Sequence, residues 1–256
     1  MGGRLDQQVA IVTGGSSGIG RAVSIALARE GVRLVVVGRD PAKIDATLDL
    51  ARAENPALQA FGLALDVTQR TDMDLMAAQT LERFGRIDIL IASAGCGGGR
   101  LSRERNVPFA VVQLPLAEWS EIVDTNLNGV IHSTQAVLPA MIQQRRGQIL
   151  PVSSSRGATI PLPYAAAYSA SKRALTGYLE SFSAGVRHLG IRVQTILPDV
   201  VETPMMEGTR NLAPHGLMKP EDVANWMVTM LCLPPDTVVI NPLIRPFGGN
   251  QPGETS

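Results

Sequence analysis

Tyr168-Ser169-Ala170-Ser171-Lys172 sets a phenol and an ammonium at i and i+4, neighbours on one helix face. A free phenol titrates at about pH 10 and shuttles protons poorly at neutral pH, whereas a nearby ammonium favours the phenolate and draws that value down. The pair could exchange a proton with a carbonyl or alcohol oxygen. Upstream, Ser153, Ser154 and Ser155 close an apolar run, where a hydroxyl at a strand's C-terminal end could hold the same oxygen.

A second constellation binds phosphate rather than moving protons. Val9 to Thr13 runs into Gly14-Gly15-Ser16-Ser17-Gly18-Ile19-Gly20 and then into a helical pattern. Glycines at Gly14, Gly18 and Gly20 let backbone N–H groups and a helix N-terminus approach a pyrophosphate, and Ser16 and Ser17 add hydroxyl donors. The spacing differs from G-x-G-x-x-G, so its place after the first strand carries the weight. The second strand candidate ends Gly38-Arg39-Asp40-Pro41. An acidic residue at that tip would bind two ribose hydroxyls, but Arg39 suits a 2′-phosphate, which favours NADP over NAD. Asp40 is the competing ribose acceptor; before Pro41 it also suits a helix N-cap. Asp66, beside Val67, could accept from the adenine amino group or cap the next helix.

These groups need a frame. Apolar β-branched runs alternate with helical periodicity, which predicts an α/β, doubly wound, mostly parallel sheet with helices on both faces. Strands are predicted at Val9 to Thr13, Leu34 to Val37, Ala60 to Leu65, Asp88 to Ala94, Gln148 to Ser153, Ile191 to Leu197 and Val238 to Ile244, a seven-stranded sheet. Helices are predicted at Gly18 to Glu30, Pro41 to Glu54, Gln69 to Phe84, Leu116 to Arg145, Tyr164 to Leu189 and Pro220 to Leu231. Pro151 removes a ladder donor from the fifth strand, so irregularity is expected there.

The 256 residues fit one domain over 1–256 with a sizeable core. Lys+Arg 23 against Asp+Glu 23 leaves no basic excess for nucleic acid or an anionic membrane. No apolar run is long enough to span a bilayer and no basic leader precedes one, so the cytoplasm is the expected location. Cys96 and Cys232 lack paired spacing, and His132, His188 and His215 lack ligand spacing, so no metal is expected.

Taken in order, Thr13 to Gly20, Asp66, Asn126-Leu127-Asn128-Gly129, the serines, Tyr168-x-x-x-Lys172 and Pro198 to Thr203 resemble the short-chain dehydrogenases/reductases over nearly the whole chain. The resemblance implies a single Rossmann-type domain, an NADP cofactor and a homo-oligomer, tetramer or dimer. It implies catalytic roles for Asn126, Ser154, Tyr168 and Lys172: Tyr168 as acid/base, Lys172 on the nicotinamide ribose and lowering the Tyr168 pKa, and Asn126 holding a water in the proton relay. Cofactor contacts would come from Gly14, Ser16, Ser17, Gly18, Ile19, Gly20, Arg39, Asp66, Val67, Ala94, Gly95, Tyr168, Lys172, Val201 and Thr203. Counting forward from Gly147 selects Ser154 as the carbonyl-polarising serine, whereas counting back from Tyr168 selects Ser155; Ser154 is preferred because loops absorb insertions more easily than strands.

The chain departs from the family pattern at four places. The family's Asn-Asn-Ala-Gly reads Ala92-Ser93-Ala94-Gly95, Asp199 stands where the family has glycine, Pro151 interrupts a strand, and the stretch 96–117 is long. Asp199 puts a carboxylate near the expected substrate mouth, which argues against anionic substrates. A lid is expected at about 199–218, where Met205, Met206, Leu212, Leu217 and Met218 suit an adaptable apolar wall. The expected activity is hydride transfer between NADP(H) and a carbonyl or secondary alcohol, as a ketone or 3-oxoacyl reductase. The alternative is an idle NADP(H)-binding sensor or scaffold.

Overall fold

In a computed structural model, residues 3–97, 114–160, 162, 165–206 and 216–247 are described. The main sheet is built from β1 (Val9–Thr13), β2 (Arg33–Gly38), β3 (Ala60–Ala64), β4 (Ile89–Ala92), β5 (Gly147–Ile149) and β6 (Ile191–Val193). All run parallel, in the order β3-β2-β1-β4-β5-β6. Successive side chains of a strand point to opposite faces, and both faces here are covered. Ala10, Val12, Leu34 and Val36 join one core cluster with helices α1 (Gly18–Arg29) and Pro220–Leu231. Ile11, Val35, Val37 and Leu90 join the other, against α3 (Arg70–Phe84), which follows α2 (Pro41–Glu54), and against helices further along the chain. Double coverage explains why β1 is buried at all five positions and reads as a continuous apolar run. The strand order reverses beside β1 and β4, which opens a crevice past their C-terminal ends.

The sheet has six strands where seven were expected. In the Val238 to Ile244 candidate only β8 (Leu243–Ile244) is a strand, paired with β7 (Leu197–Pro198) in a separate two-stranded sheet. Asn241 has φ 49 and Pro242 has no N–H to give, so regular pairing cannot begin before Leu243. Pro151 has a similar effect on β5. The even residues Gln148, Leu150 and Val152 donate toward β4, while the odd positions face β6: Gln194 N donates to the Ile149 carbonyl and Ser153 N to that of Ile196. Pro151 therefore deletes one donor from the β5–β6 ladder, while its carbonyl accepts from both Ile196 N and Thr195 Oγ1. The ladder stops at Ile149, and beyond it only a single bridge joins Val152 to Ile196.

The single helix expected from Leu116 to Arg145 is three pieces. α4 (Leu116–Val123) passes into a π-helical turn (Asp124–Asn128) and then α5 (Gly129–Gln144). The Asn128 side chain donates to Asp124 within the turn. The helix expected from Tyr164 is α6 (Ala166–Val186), continued by a 3₁₀ turn to Leu189; Tyr164 lies outside the described residues. The helix Pro220–Leu231 is α7. Of the expected lid, residues 207–215 lie outside the described set, including Leu212, as do 98–113 of the long stretch. The two ends of the lid segment meet, since Met218 N donates to the Val200 carbonyl and Glu202 N to that of Met218. No helix among the described residues is long and apolar enough to cross a membrane.

Candidate active site

A cavity of about 670 Å³ lies past the C-terminal ends of the strands, and the loops that follow β1 to β5 all contribute to it. Gly14, the first residue after β1, has φ +65, and a Cβ there would come 2.6 Å from the Ala94 backbone. Only glycine lets the turn and the β4 loop approach this closely. Gly18 has φ +50 and faces Thr203, whose Cγ2 would lie 3.0 Å from an added Cβ. Ser17 is the N-cap of α1, yet its hydroxyl makes no cap bond. The first N–H groups of α1, which have no intrahelical partner, are therefore left open beside the cavity wall of Ser16, Ser17, Gly18 and Ile19. Gly20 lies one residue deeper, buried against the Gly14 carbonyl.

Gly38 and Arg39 line the cavity at the tip of β2. Arg39 is exposed and makes no hydrogen bond or ion pair among the described residues. Asp40 does not line the cavity; its carboxylate accepts from the N–H groups of Ala42 and Lys43 and caps α2. Asp66 and Val67 line the next stretch of wall. Asp66 Oδ1 accepts from both N and Oγ1 of Thr68 at 2.9 Å, closing a turn before α3. Ser93, Ala94 and Gly95 follow β4, and Val201 and Thr203 close the far side.

α6 brings Tyr168, Ser171 and Lys172 together. Lys172 is buried; its Nζ donates to the Val152 carbonyl at 3.0 Å and stands 5.8 Å from the centre of the Tyr168 ring. Ser154 lines the cavity next to Tyr168, and its hydroxyl draws the phenol pKa down. Ser155 has no exposed surface, does not line the cavity, and its Oγ has no hydrogen-bond partner. Asn126, in the π-turn, is fully buried. Its Nδ2 donates to the Cys96 carbonyl and to Ser171 Oγ, its Oδ1 accepts from Cys96 N, and Ser171 Oγ donates to the Tyr168 carbonyl.

Burial pushes the Tyr168 phenol above its ordinary value, with the Ser154 hydroxyl pulling the other way. Burial also pushes the Lys172 ammonium down to about 8. The net shift of the Tyr168 phenol is upward, set by burial rather than by Lys172. Desolvation of the phenolate is the larger effect, and the Lys172 Nζ is directed to the Val152 carbonyl and the ring face.

Sequence reasoning missed three features. Ser171, the residue before Lys172, links Asn126 to the start of α6. Cys96 is the backbone partner of Asn126. Asp199 meets Arg156 in an ion pair at 2.7 Å inside the cavity. A polar residue beside each motif was the only available signal, and no spacing rule joins positions so far apart in the chain.

The sequence pattern of the short chain dehydrogenase family matches residues 8–212. An uncharacterised oxidoreductase of Staphylococcus epidermidis is 30% identical over 243 residues, which cover 95% of this chain and 99% of that protein. A putative ketoacyl reductase of Streptomyces coelicolor is 33% identical over 207 residues, covering 80% of this chain and 75% of that one. Among solved structures, a metagenomic short-chain oxidoreductase in complex with NADP superposes with a TM-score of 0.80 at 30% identity, covering 95% and 98% of the two chains. An actinorhodin polyketide ketoreductase variant with NADPH gives 0.83 at 29% identity, covering 98% and 100%. Fold and site thus define a Rossmann-type oxidoreductase. The chain belongs to the short-chain dehydrogenase family.

Proposed function

We propose that the protein is an NADP-dependent oxidoreductase that interconverts a carbonyl and a secondary alcohol and works chiefly as a ketone or 3-oxoacyl reductase. One observation carries this reading: Ser154, Tyr168 and Lys172 converge on the same cavity as the glycine turn and the unpartnered Arg39. The wall fits the cofactor. Gly14 and Gly18 keep side chains out of the pyrophosphate path, the open N–H groups of α1 and the Ser16 and Ser17 hydroxyls supply donors, and Arg39 supplies a cation for the 2′-phosphate. Asp66, Val67, Ala94, Gly95, Val201 and Thr203 would bound the adenine and nicotinamide ends. The NADP and NADPH complexes of the solved relatives support the choice of cofactor, and the ketoacyl reductase names of relatives support the substrate type.

When bound, NADPH supplies the hydride to the carbonyl carbon. Tyr168 then gives its phenolic proton to the developing alkoxide. A phenol pushed up by burial is fully protonated at neutral pH, which suits a proton donor in the reducing direction. Ser154 donates a hydrogen bond to the same oxygen, so charge that builds there meets a fixed dipole. Lys172 stabilises the phenolate left behind, and Asn126 holds the β4 loop against α6 beside it. We further propose a single domain over 1–256, a cytoplasmic location and a homo-oligomer.

The test is absorbance-monitored oxidation of NADPH and NADH with 3-oxoacyl thioesters, cyclic and aliphatic ketones, aldehydes and steroids, with Tyr168→Phe as control. NADPH-dependent turnover that disappears in Tyr168→Phe supports the reading. Tight NADPH binding without turnover of any member favours the idle binder instead.

A further inference from the structure

Arg156 and Asp199 come from different segments, the turn after β5 and the residue after β7, and meet inside the cavity. Arg156 Nε donates to Asp199 Oδ1 at 2.7 Å, with the two side chains 19% and 4% exposed. That bond uses one of the five guanidinium donors. The Arg156 side chain makes no other hydrogen bond among the described residues, so the N–H groups of Nη1 and Nη2 remain unpaired beside the cavity. The carboxylate fixes the plane of the fork from which they project.

The fork stands beside the reacting groups. Ser154 and Arg156 both line the cavity, whereas the intervening Ser155 is turned into the interior. The backbone leaves the helical region at Arg156 (φ -76, ψ 120) and Gly157 (φ 95, ψ -47), and Arg156 lies on the cavity wall together with Ser154. Gly157 lies against the Tyr168 ring, where a Cβ would come 3.1 Å from Cδ1. As a stabilising device a buried ion pair is a weak choice, since well-packed apolar residues do as well. As a recognition device it offers oriented donors next to Ser154 and Tyr168.

We propose that Arg156, anchored by Asp199, determines substrate specificity by donating to a second, neutral oxygen of the carbonyl substrate, several bonds from the carbonyl that is reduced. This rests on the reductase reading above. The second oxygen is neutral because Asp199 already meets the guanidinium charge. A substrate carboxylate would face a pair with no net charge and still lose its hydration, whereas an ester, ketone or hydroxyl oxygen loses little and gains a charge-assisted bond. A substrate without that oxygen leaves buried donors unpaired and is disfavoured.

The experiment compares kcat/KM with NADPH for 2-hexanone, ethyl 4-oxopentanoate and 4-oxopentanoate, alongside calorimetric affinities of the same compounds for the protein loaded with NADP⁺, which cannot reduce them. The wild type is expected to favour the ester over the plain ketone by roughly tenfold or more, and to favour it over the carboxylate. Arg156→Met should bring the ester-to-ketone ratio to about one, and Arg156→Lys should keep part of it. Because Arg156→Met leaves the Asp199 charge buried alone, Arg156→Met/Asp199→Asn serves as the second variant and should give the same lowered ratio. A wild-type ratio near unity, a preference for the carboxylate, or a ratio unchanged in both variants overturns the proposal. If none of the three compounds is reduced, the calorimetric ratios decide the role of Arg156 by the same criteria, and the reductase reading stands or falls on the wider panel above.

Discussion

Asn126 and Cys96 are joined by two hydrogen bonds: Cys96 N donates to Asn126 Oδ1 at 2.8 Å, and Asn126 Nδ2 donates to the Cys96 carbonyl at 3.0 Å. The amide thus acts as a strand neighbour for the backbone just past β4. It does so from a π-turn, a distortion that swings the side chain out of the regular helical path. A third bond, to Ser171 Oγ at 3.1 Å, ties the same group to α6.

Asn126→Leu keeps the branched shape but leaves the N–H and carbonyl of Cys96 without their partner. Loss is expected to be about 1–3 kcal/mol of stability, since the two backbone groups left without a partner are partly buried, with turnover falling alongside. Cys96→Ser, which keeps both backbone bonds, should stay close to wild type by thermal denaturation. An unchanged Tm in Asn126→Leu would refute the bracing role.

The two serines should separate cleanly. Ser154→Ala removes the hydroxyl that reaches Tyr168 and is expected to cut kcat by roughly a hundredfold or more. Ser155 Oγ is buried without a partner, so Ser155→Ala should leave turnover intact and stability unchanged or slightly raised. Steady-state rates and denaturation curves of both variants check this. A larger rate loss at Ser155 would reverse the assignment.

Arg39 is the cation available at the β2 tip, while Asp40 is committed to capping α2. Arg39→Asp should weaken NADPH binding by roughly a hundredfold and NADH binding far less, since only the former carries the 2′-phosphate. Fluorescence titration of both cofactors measures the difference. Equal losses would remove Arg39 from the phosphate site.

Lys172 gives the protein a pH signature. Its ammonium is held at about 8 in the fold against 10.5 in an unfolded chain, so the unfolded state binds more protons between those values. Stability therefore rises with pH across that window, by about 3 kcal/mol for a gap of about 2.5 units, and the penalty is fully present below it. Lys172→Met lacks this slope, and up to about pH 9 the Tyr168 phenol, pushed up by burial, stays protonated in both proteins. Urea denaturation of both proteins across the window should show the wild type gaining on the variant; parallel curves would show that Lys172 is not desolvated as described.

Much of the frame was legible because its causes are local. The apolar runs of β1 and β2 mark strands covered on both faces, and the Asp40-Pro41 pair reads as a helix start whichever fold surrounds it. The failures have local causes as well, but their consequences depend on neighbours. Pro242 and the positive φ of Asn241 shortened the last strand, and Pro151 mattered because its missing N–H faced β6 rather than solvent. The break between α4 and α5 was invisible in a continuous helical pattern, since the π-turn is held by Asn126 reaching across to Cys96.

By itself the sequence determined the alternation of strands and helices, the glycine turn after β1, the cation at the tip of β2 and the register of Tyr168 with Lys172. Each follows from backbone sterics or helical periodicity within a few residues. Only the tertiary structure decided that Ser154 rather than Ser155 faces the cavity, that burial drives the Tyr168 and Lys172 titrations in opposite directions, and that Arg156 meets Asp199 across 43 positions of chain. Side-chain direction, desolvation and ion pairing between distant segments depend on which surfaces are brought together, and that is set by the packed sheet as a whole.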